Sequence, residues 1–148
     1  MSRVRGGGDR PLGEVSWVPD ATFEGEIDAL VAANTNVIGK LVTITYSNNY
    51  EVTSAAAGAV PNGKIIDYRV SGTSYALTIN MFLYVDQNGV YHAPTRIVNL
   101  PYDGTTALQD TVKVDGATYV NVEDGGALGT GVIVAKDVPT TGRADYMV

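Results

Sequence analysis

The chain has 148 residues, a formal net charge of −6, no cysteine and a single histidine, His92. Without cysteine there is no disulfide framework, thiolate metal site or cysteine nucleophile, and a zinc site would depend on His92 and carboxylates alone. The acidic balance argues against general binding to nucleic acid, and no apolar run approaches the roughly 20 residues that a membrane-spanning helix needs.

The first 22 residues differ in composition from the rest of the chain. Residues 1–10 contain three arginines and one aspartate, and glycine and proline interrupt the sequence that follows. Such a segment is typical of a flexible terminus, or of an arm that becomes ordered on a partner. We therefore expect an N-terminal arm over residues 1–22 and a folded domain over residues 23–148. Trp17, the only tryptophan, is expected to anchor in a pocket of the same chain or of a neighbour.

The composition predicts an all-β fold. The chain has 20 Val, 8 Ile, 15 Thr and 9 Tyr, whereas the helix formers Leu and Lys occur only 8 and 4 times. β-Branched and aromatic side chains suit a pleated, half-buried surface. We expect a single small β-barrel or β-sandwich with an extended N-terminal arm. Only residues 24–33 have a spacing that fits one short helical turn or an irregular strand.

Regular strand signals begin near residue 37. We predict strands at residues 40–46, 50–53, 64–70, 74–87, 90–92, 95–100, 111–114, 117–122, 131–136 and 144–148. Asn88 and Gly89 form the strongest hairpin signal and favour a type I′ turn, and residues 115–116 predict a second hairpin. Pro94 limits the strand after it to an edge or a late start, because proline cannot donate a ladder hydrogen bond.

No constellation of residues predicts catalysis. His92 has no accompanying nucleophile motif, and we interpret it as a surface histidine on a hairpin. Glu24, Glu26 and Asp28 would share one face of a strand and could bind calcium weakly, although an acidic solvated surface is the simpler interpretation. Residues 129–131 read Gly-Thr-Gly but precede a β-branched run, which indicates a bulge or tight turn. We predict that the chain is not an enzyme and has no catalytic, cofactor or metal site.

Two stretches of the chain together resemble a known family. The first comprises residues 37–42 (VIGKLV) and 55–66 (AAAGAVPNGKII), and the second comprises residues 129–136 (GTGVIVAK) and 142–148 (GRADYMV). Their combination resembles the head decoration, or cement, proteins of tailed bacteriophages. The resemblance implies a fold of the β-tulip or jelly-roll kind.

The resemblance also implies a function. It implies a structural virion protein, made in the host cytoplasm and located on the capsid exterior, that stabilises contacts between major capsid protein subunits. The expected partners are the major capsid protein and neighbouring copies of the chain, with a trimer as one arrangement, and neither nucleic acid nor a membrane. Alternatives are a fibre, spike or tail module of a virion, or a carbohydrate-binding module. The candidate contact residues are Arg3, Arg5 and Trp17 on the arm and, more weakly, Tyr84, Tyr91 and Tyr102, for which ordinary packing is the alternative.

Overall fold

The structure is a computed structural model that describes residues 15–45, 49–92, 97–114, 122–124 and 131–147. Its elements are β1 (Val18–Pro19), α1 (Ala21–Ala32), β2 (Leu41–Ile44), β3 (Glu51–Ser54), β4 (Gly63–Ser71), β5 (Ser74–Met81), β6 (Tyr84–Val85), β7 (Tyr91–His92), β8 (Ile97–Pro101), β9 (Val112–Val114), β10 (Val122–Asp124), β11 (Val132–Lys136) and β12 (Arg143–Met147). The all-β prediction is therefore confirmed, with one helix added. The strands form several sheets, and none of the sheets described closes into a barrel.

The largest sheet has five strands in the order β1-β3-β2-β4-β5. Trp17, the residue before β1, forms an isolated bridge to Leu77 of β5, in which the two residues exchange backbone hydrogen bonds of 2.9 and 2.8 Å. Trp17 is only 7% exposed and lies edge-to-face against the ring of Tyr50. The first core contains Val15, Trp17, Phe23, Ile27, Val37, Val42, Ile44, Val52, Ile65, Tyr75, Leu77, Ile79 and Met81.

The predicted boundary between arm and domain lies too far along the chain. Val15 is already in the first core, and the Asp20 N–H donates to the Val52 carbonyl at 2.8 Å. Trp17 is thus anchored within its own chain, where it fills core space and pairs with Leu77. Residues 15–22 belong to the folded domain, while Arg3 and Arg5 lie outside the described residues.

Helix α1 is longer than the single turn expected at residues 24–33. The Asp20 carboxylate accepts a hydrogen bond from the Phe23 N–H at 2.8 Å and caps the first turn. Phe23 and Ile27, one turn apart, place their side chains in the first core. Gly25 lowers the helical propensity by about 1 kcal/mol, which these tertiary contacts offset. Because of this weak propensity, the sequence predicted only a single turn here.

The second core lies under an antiparallel sheet of order β11-β12-β8 and two smaller strand pairs, β9-β10 and β6-β7. β8 is an edge strand of its sheet, as Pro94 predicted. Alternation along β2 links the cores, since Leu41 faces the second core whereas Val42 and Ile44 face the first. The second core contains Leu41, Ala55, Phe82, Leu83, Val98, Leu100, Val112, Val114, Val122, Ile133, Ala144 and Tyr146.

One strand prediction is wrong in extent. The strand predicted at residues 74–87 ends at Met81, because Phe82 and Leu83 enter the second core before β6 begins. Of the strand predicted at residues 117–122, residues 117–121 lie outside the described part of the chain, and Val122 begins β10, which pairs with β9 through Val114. Residues 115–116, the expected turn, lie outside the described part of the chain.

Asn62 joins the end of β2 to the chain bend after β5. Its side-chain oxygen accepts from the Ile44 N–H at 3.1 Å, and its amide nitrogen donates to the Leu83 carbonyl at 3.0 Å. Its backbone N–H donates to the Val42 carbonyl, and its own carbonyl accepts from Phe82 and Leu83. Asn62 is only 3% exposed, so each of these groups depends on its partner in the protein.

Replacing Trp17 by alanine should destabilise the domain by about 3–5 kcal/mol, because a large core side chain is lost. The free energy of unfolding is measured by urea titration with far-UV circular dichroism, since the substitution removes the only tryptophan. Tyr91→Ala, at an exposed position, is the control and should change stability by no more than about 0.5 kcal/mol. Equal effects of the two substitutions would contradict the core assignment of Trp17.

Replacing Asn62 by leucine should lower the free energy of unfolding by about 2–4 kcal/mol, because the Ile44 N–H and the Leu83 carbonyl lose their partners while buried. Asn36→Ala is the matched control. Asn36 also accepts a backbone N–H, from Ile38, but is exposed, so its loss should cost about 1 kcal/mol or less. Similar losses in urea titrations of both variants would show that the Asn62 hydrogen bonds are dispensable.

Candidate functional site

The β6–β7 hairpin carries two of the predicted contact residues. Tyr84 pairs with His92, and Val85 pairs with Tyr91. Gly89 has a φ of 78°, whereas Asn88 does not have the positive φ that a type I′ turn requires. The Gly89 N–H donates to the Asp86 carbonyl, and the Asp86 N–H donates to Val90, which fits a three-residue loop with a glycine bulge. The hairpin prediction is confirmed, and its predicted turn type is wrong.

Asp86 stabilises the hairpin by bonding to both its turn and its second strand. Its side chain accepts from the N–H groups of Asn88 and Val90 at 2.8 and 3.0 Å, and its second oxygen lies 2.9 Å from His92 Nε2. The hydrogen bond with His92, followed by those from the backbone, lowers the pKa of Asp86. The sequence contains a signal for the hydrogen bond from Asn88. Asp86 stands two residues before Asn88, which is the spacing of an Asx turn.

Tyr84 and Tyr91 are exposed, by 40% and 54%, but they do not form one aromatic surface. Successive residues of a strand point to opposite faces, and Tyr84 shares its face with His92 while Tyr91 lies across from Val85. The rings of Tyr84 and His92 have centroids 6.1 Å apart. A flat sugar-stacking platform made of both tyrosines is therefore not formed.

Tyr102 has a packing role. It packs against the second core, and its hydroxyl donates to the Asp137 carboxylate at 2.7 Å. This hydrogen bond raises the pKa of Tyr102 and lowers that of Asp137, for which the Gly142 N–H is the larger cause. Lys136 Nζ lies 4.7 Å from the ring centroid. Of the four predicted contact residues that the structure describes, Tyr84 and Tyr91 lie on one exposed element, whereas Trp17 and Tyr102 lie elsewhere.

An apolar surface that the sequence reasoning missed lies on the outer face of the three-stranded sheet. Met147 pairs with Val132 on one side and with Ile97 on the other, so the three side chains cross the sheet as one row. Ile97 is 54% exposed and Met147 is 40% exposed, while Val132 is partly buried. We call these three residues the apolar row.

Two further exposed apolar residues adjoin the apolar row, Val134 on β11 and Leu108 outside the sheet. Val134 and Leu108 are both exposed and line one shallow depression together with Val132. The inner face carries the buried row Ile133, Tyr146 and Val98, one residue along each strand. The alternation along residues 131–136 is the sequence signal for this surface. Because Ile133 faces the core, the valines on either side of it point away from the core.

The acidic residues at the start of the domain do not all share one face, as they would on a strand. Glu24, Glu26 and Asp28 lie on α1, where Glu24 and Asp28, four residues apart, share one side of the helix and Glu26 points away from them. Asp28 accepts the Tyr75 hydroxyl at 2.5 Å, which raises the pKa of Tyr75 to about 12. In the part of the chain that the structure describes, no three His, Asp or Glu side chains are grouped to hold a metal ion. No helix among the described residues is long and apolar enough to cross a membrane.

Comparison with known proteins gives no assignment. No family model matches the chain, and neither a curated protein nor a solved structure shows a significant match.

The hairpin should loosen in acid. The pKa of Asp86 is lowered in the folded state, so its stabilising contribution is present above the ordinary carboxyl pKa and is lost as the pH falls through the lower, folded value. Amide NMR signals of Asn88 and Val90 should therefore move between about pH 5 and pH 2. Asp86→Asn should abolish that transition, whereas Asp103→Asn, which removes another carboxyl of lowered pKa, should retain it. A transition that persists in Asp86→Asn would exclude Asp86 as its source.

Proposed function

We propose that this protein is a structural virion subunit that binds the outer surface of a phage capsid and stabilises contacts between major capsid protein subunits. The apolar row is the observation that carries this proposal. Exposed apolar side chains that adjoin across strands mark surfaces that bind other proteins. The resemblance of residues 37–42, 55–66, 129–136 and 142–148 to head decoration proteins supplies the kind of partner.

The shape of the apolar row suits binding to a preformed shell. Its residues lie on paired strands, whose hydrogen bonds fix the backbone before contact, so binding has only side chains left to order. Methionine is enriched at protein interfaces, and Met147 lies at the centre of the row. Many copies bound to one shell would stabilise it collectively even when each contact is modest, because only the assembled shell displays the binding sites.

The role of the hairpin in this proposal is secondary. Tyr84 and Tyr91 are exposed on opposite faces of β6–β7, so one of them can contact the shell while the other contacts a neighbouring copy. Neighbouring copies, including a trimer, belong to the proposal as further partners.

Co-sedimentation with expanded, undecorated capsids of the source virus tests the proposal. Saturable binding at a fixed ratio to the major capsid protein is expected. Met147→Lys should weaken binding about tenfold or more, because it places a charge in the middle of the apolar row. Val70→Lys is the matched control, since Val70 is 69% exposed on β4 of the other sheet, and its binding should be unchanged.

Each outcome has a separate meaning. Absence of binding by the unmodified protein would refute the capsid function. Equal binding of Met147→Lys and the unmodified protein would retain the function and exclude the apolar row as the contact. Self-association in sedimentation velocity that Met147→Lys abolishes, without capsid binding, would assign the row to contacts between copies.

A further inference from the structure

Two cations from different sheets meet at Asn99. Lys64 on β4 donates from Nζ to the Asn99 backbone carbonyl at 3.2 Å, and Arg143 on β12 donates to the same oxygen at 3.2 Å. Arg143 also donates from Nε to the Asn99 side-chain oxygen at 2.6 Å. Because they share one acceptor, the two cationic groups lie within two hydrogen-bond lengths of each other.

Among the described residues, no carboxylate lies within 4.0 Å of the Lys64 amine or the Arg143 guanidinium to form an ion pair. Asp145, on the same face of β12 as Arg143, accepts instead from the Asn99 side-chain amide at 2.8 Å. The two adjacent cations thus share neutral acceptors, and no ion pair among the described residues offsets their mutual repulsion.

The pair is electrostatically unfavourable as it stands. Lys64 and Arg143 are both half-buried, and burial, followed by the repulsion from Arg143, lowers the pKa of the Lys64 amine. An anion placed between the two groups would relieve this repulsion. It would also replace water lost on burial with charge-assisted hydrogen bonds.

Donors remain available for such an anion. A guanidinium has five N–H donors and an ammonium has three. Within the described structure Arg143 uses two of its donors and Lys64 uses one, all three directed to Asn99. Both acceptor atoms of Asn99 are occupied by these bonds. The unused donors therefore have the number and charge to bind the oxygens of one ligand group.

We propose that Lys64 and Arg143 form a binding site for a single oxyanion, a carboxylate or a phosphate group, at the junction of the two sheets. Arg143 supplies the planar fork that fits two oxygens of such a group, and Lys64 supplies a second point charge. Asn99 holds both side chains in position through its backbone and side-chain oxygens. The site is separate from the apolar row, and it does not depend on the proposed capsid function.

The test is a titration of the full chain with inorganic phosphate and, separately, with acetate, followed by amide NMR at constant ionic strength with chloride as the balancing anion. Saturable shifts at Lys64, Asn99 and Arg143 are expected. Tighter binding of phosphate than of acetate would identify a phosphate group as the ligand chemistry, and the reverse order would identify a carboxylate. Shifts that do not saturate for either anion would overturn the proposal.

Variants separate the site from general surface charge. Lys64→Gln and Arg143→Gln should each weaken anion binding about tenfold, because each removes a charge-assisted hydrogen bond. Arg69→Gln removes the same charge from an exposed position of β4 and should leave binding unchanged. Should Arg143→Gln fail to fold, Lys64→Gln decides the matter, since Lys64 makes only one of the three bonds to Asn99. Binding by Lys64→Gln equal to that of the unmodified protein would refute the site.

Discussion

The buried amide of Asn62 is the constraint on which the arrangement of the two cores depends. It binds the end of β2 and the bend after β5 through groups that have no access to water. The next residue must be glycine, because a Cβ at Gly63 would lie 2.7 Å from the Ile79 side chain and 2.8 Å from the Asn80 carbonyl. Strand β4 therefore starts at a fixed point, and the chain leaves β5 in a fixed direction. That direction carries Phe82 and Leu83 into the second core.

In the three-stranded sheet, the side chains buried on the inner face determine which side chains are exposed on the outer face. The ring of Tyr146 is fully buried and lies edge-to-face against Phe82, and it leaves no room for a side chain at Gly131. With Tyr146 turned inward, the next residue along β12, Met147, must face outward. The apolar row is thus a consequence of core packing and strand alternation, and so is the outward position of Arg143 at the other end of the strand.

The sequence predicted what depends on local pattern and missed what depends on distant contacts. Alternation and turn residues located the hairpin at Gly89, the closing strand pair and the edge position of β8, since neighbouring residues alone determine these. The length of helix α1 was underestimated because its stability comes from burying Phe23 and Ile27 in the first core, which helical propensity does not reveal. Lys64 and Arg143 are 79 positions apart in the chain, so no periodic pattern of the sequence predicts that they lie close together. The composition of residues 15–22 similarly suggested an arm, although Trp17 belongs to a core assembled from later strands.

The single bridge between Trp17 and Leu77 has a consequence for solubility. An unpaired strand edge offers backbone donors and acceptors to any other chain, and β5 is a long strand rich in apolar residues. Trp17 occupies that edge at its middle, because its backbone takes both the N–H and the carbonyl of Leu77. The segment before the helix therefore protects the edge of β5 from edge-to-edge aggregation. A nascent chain gains this protection only once its own N-terminal residues fold back onto β5.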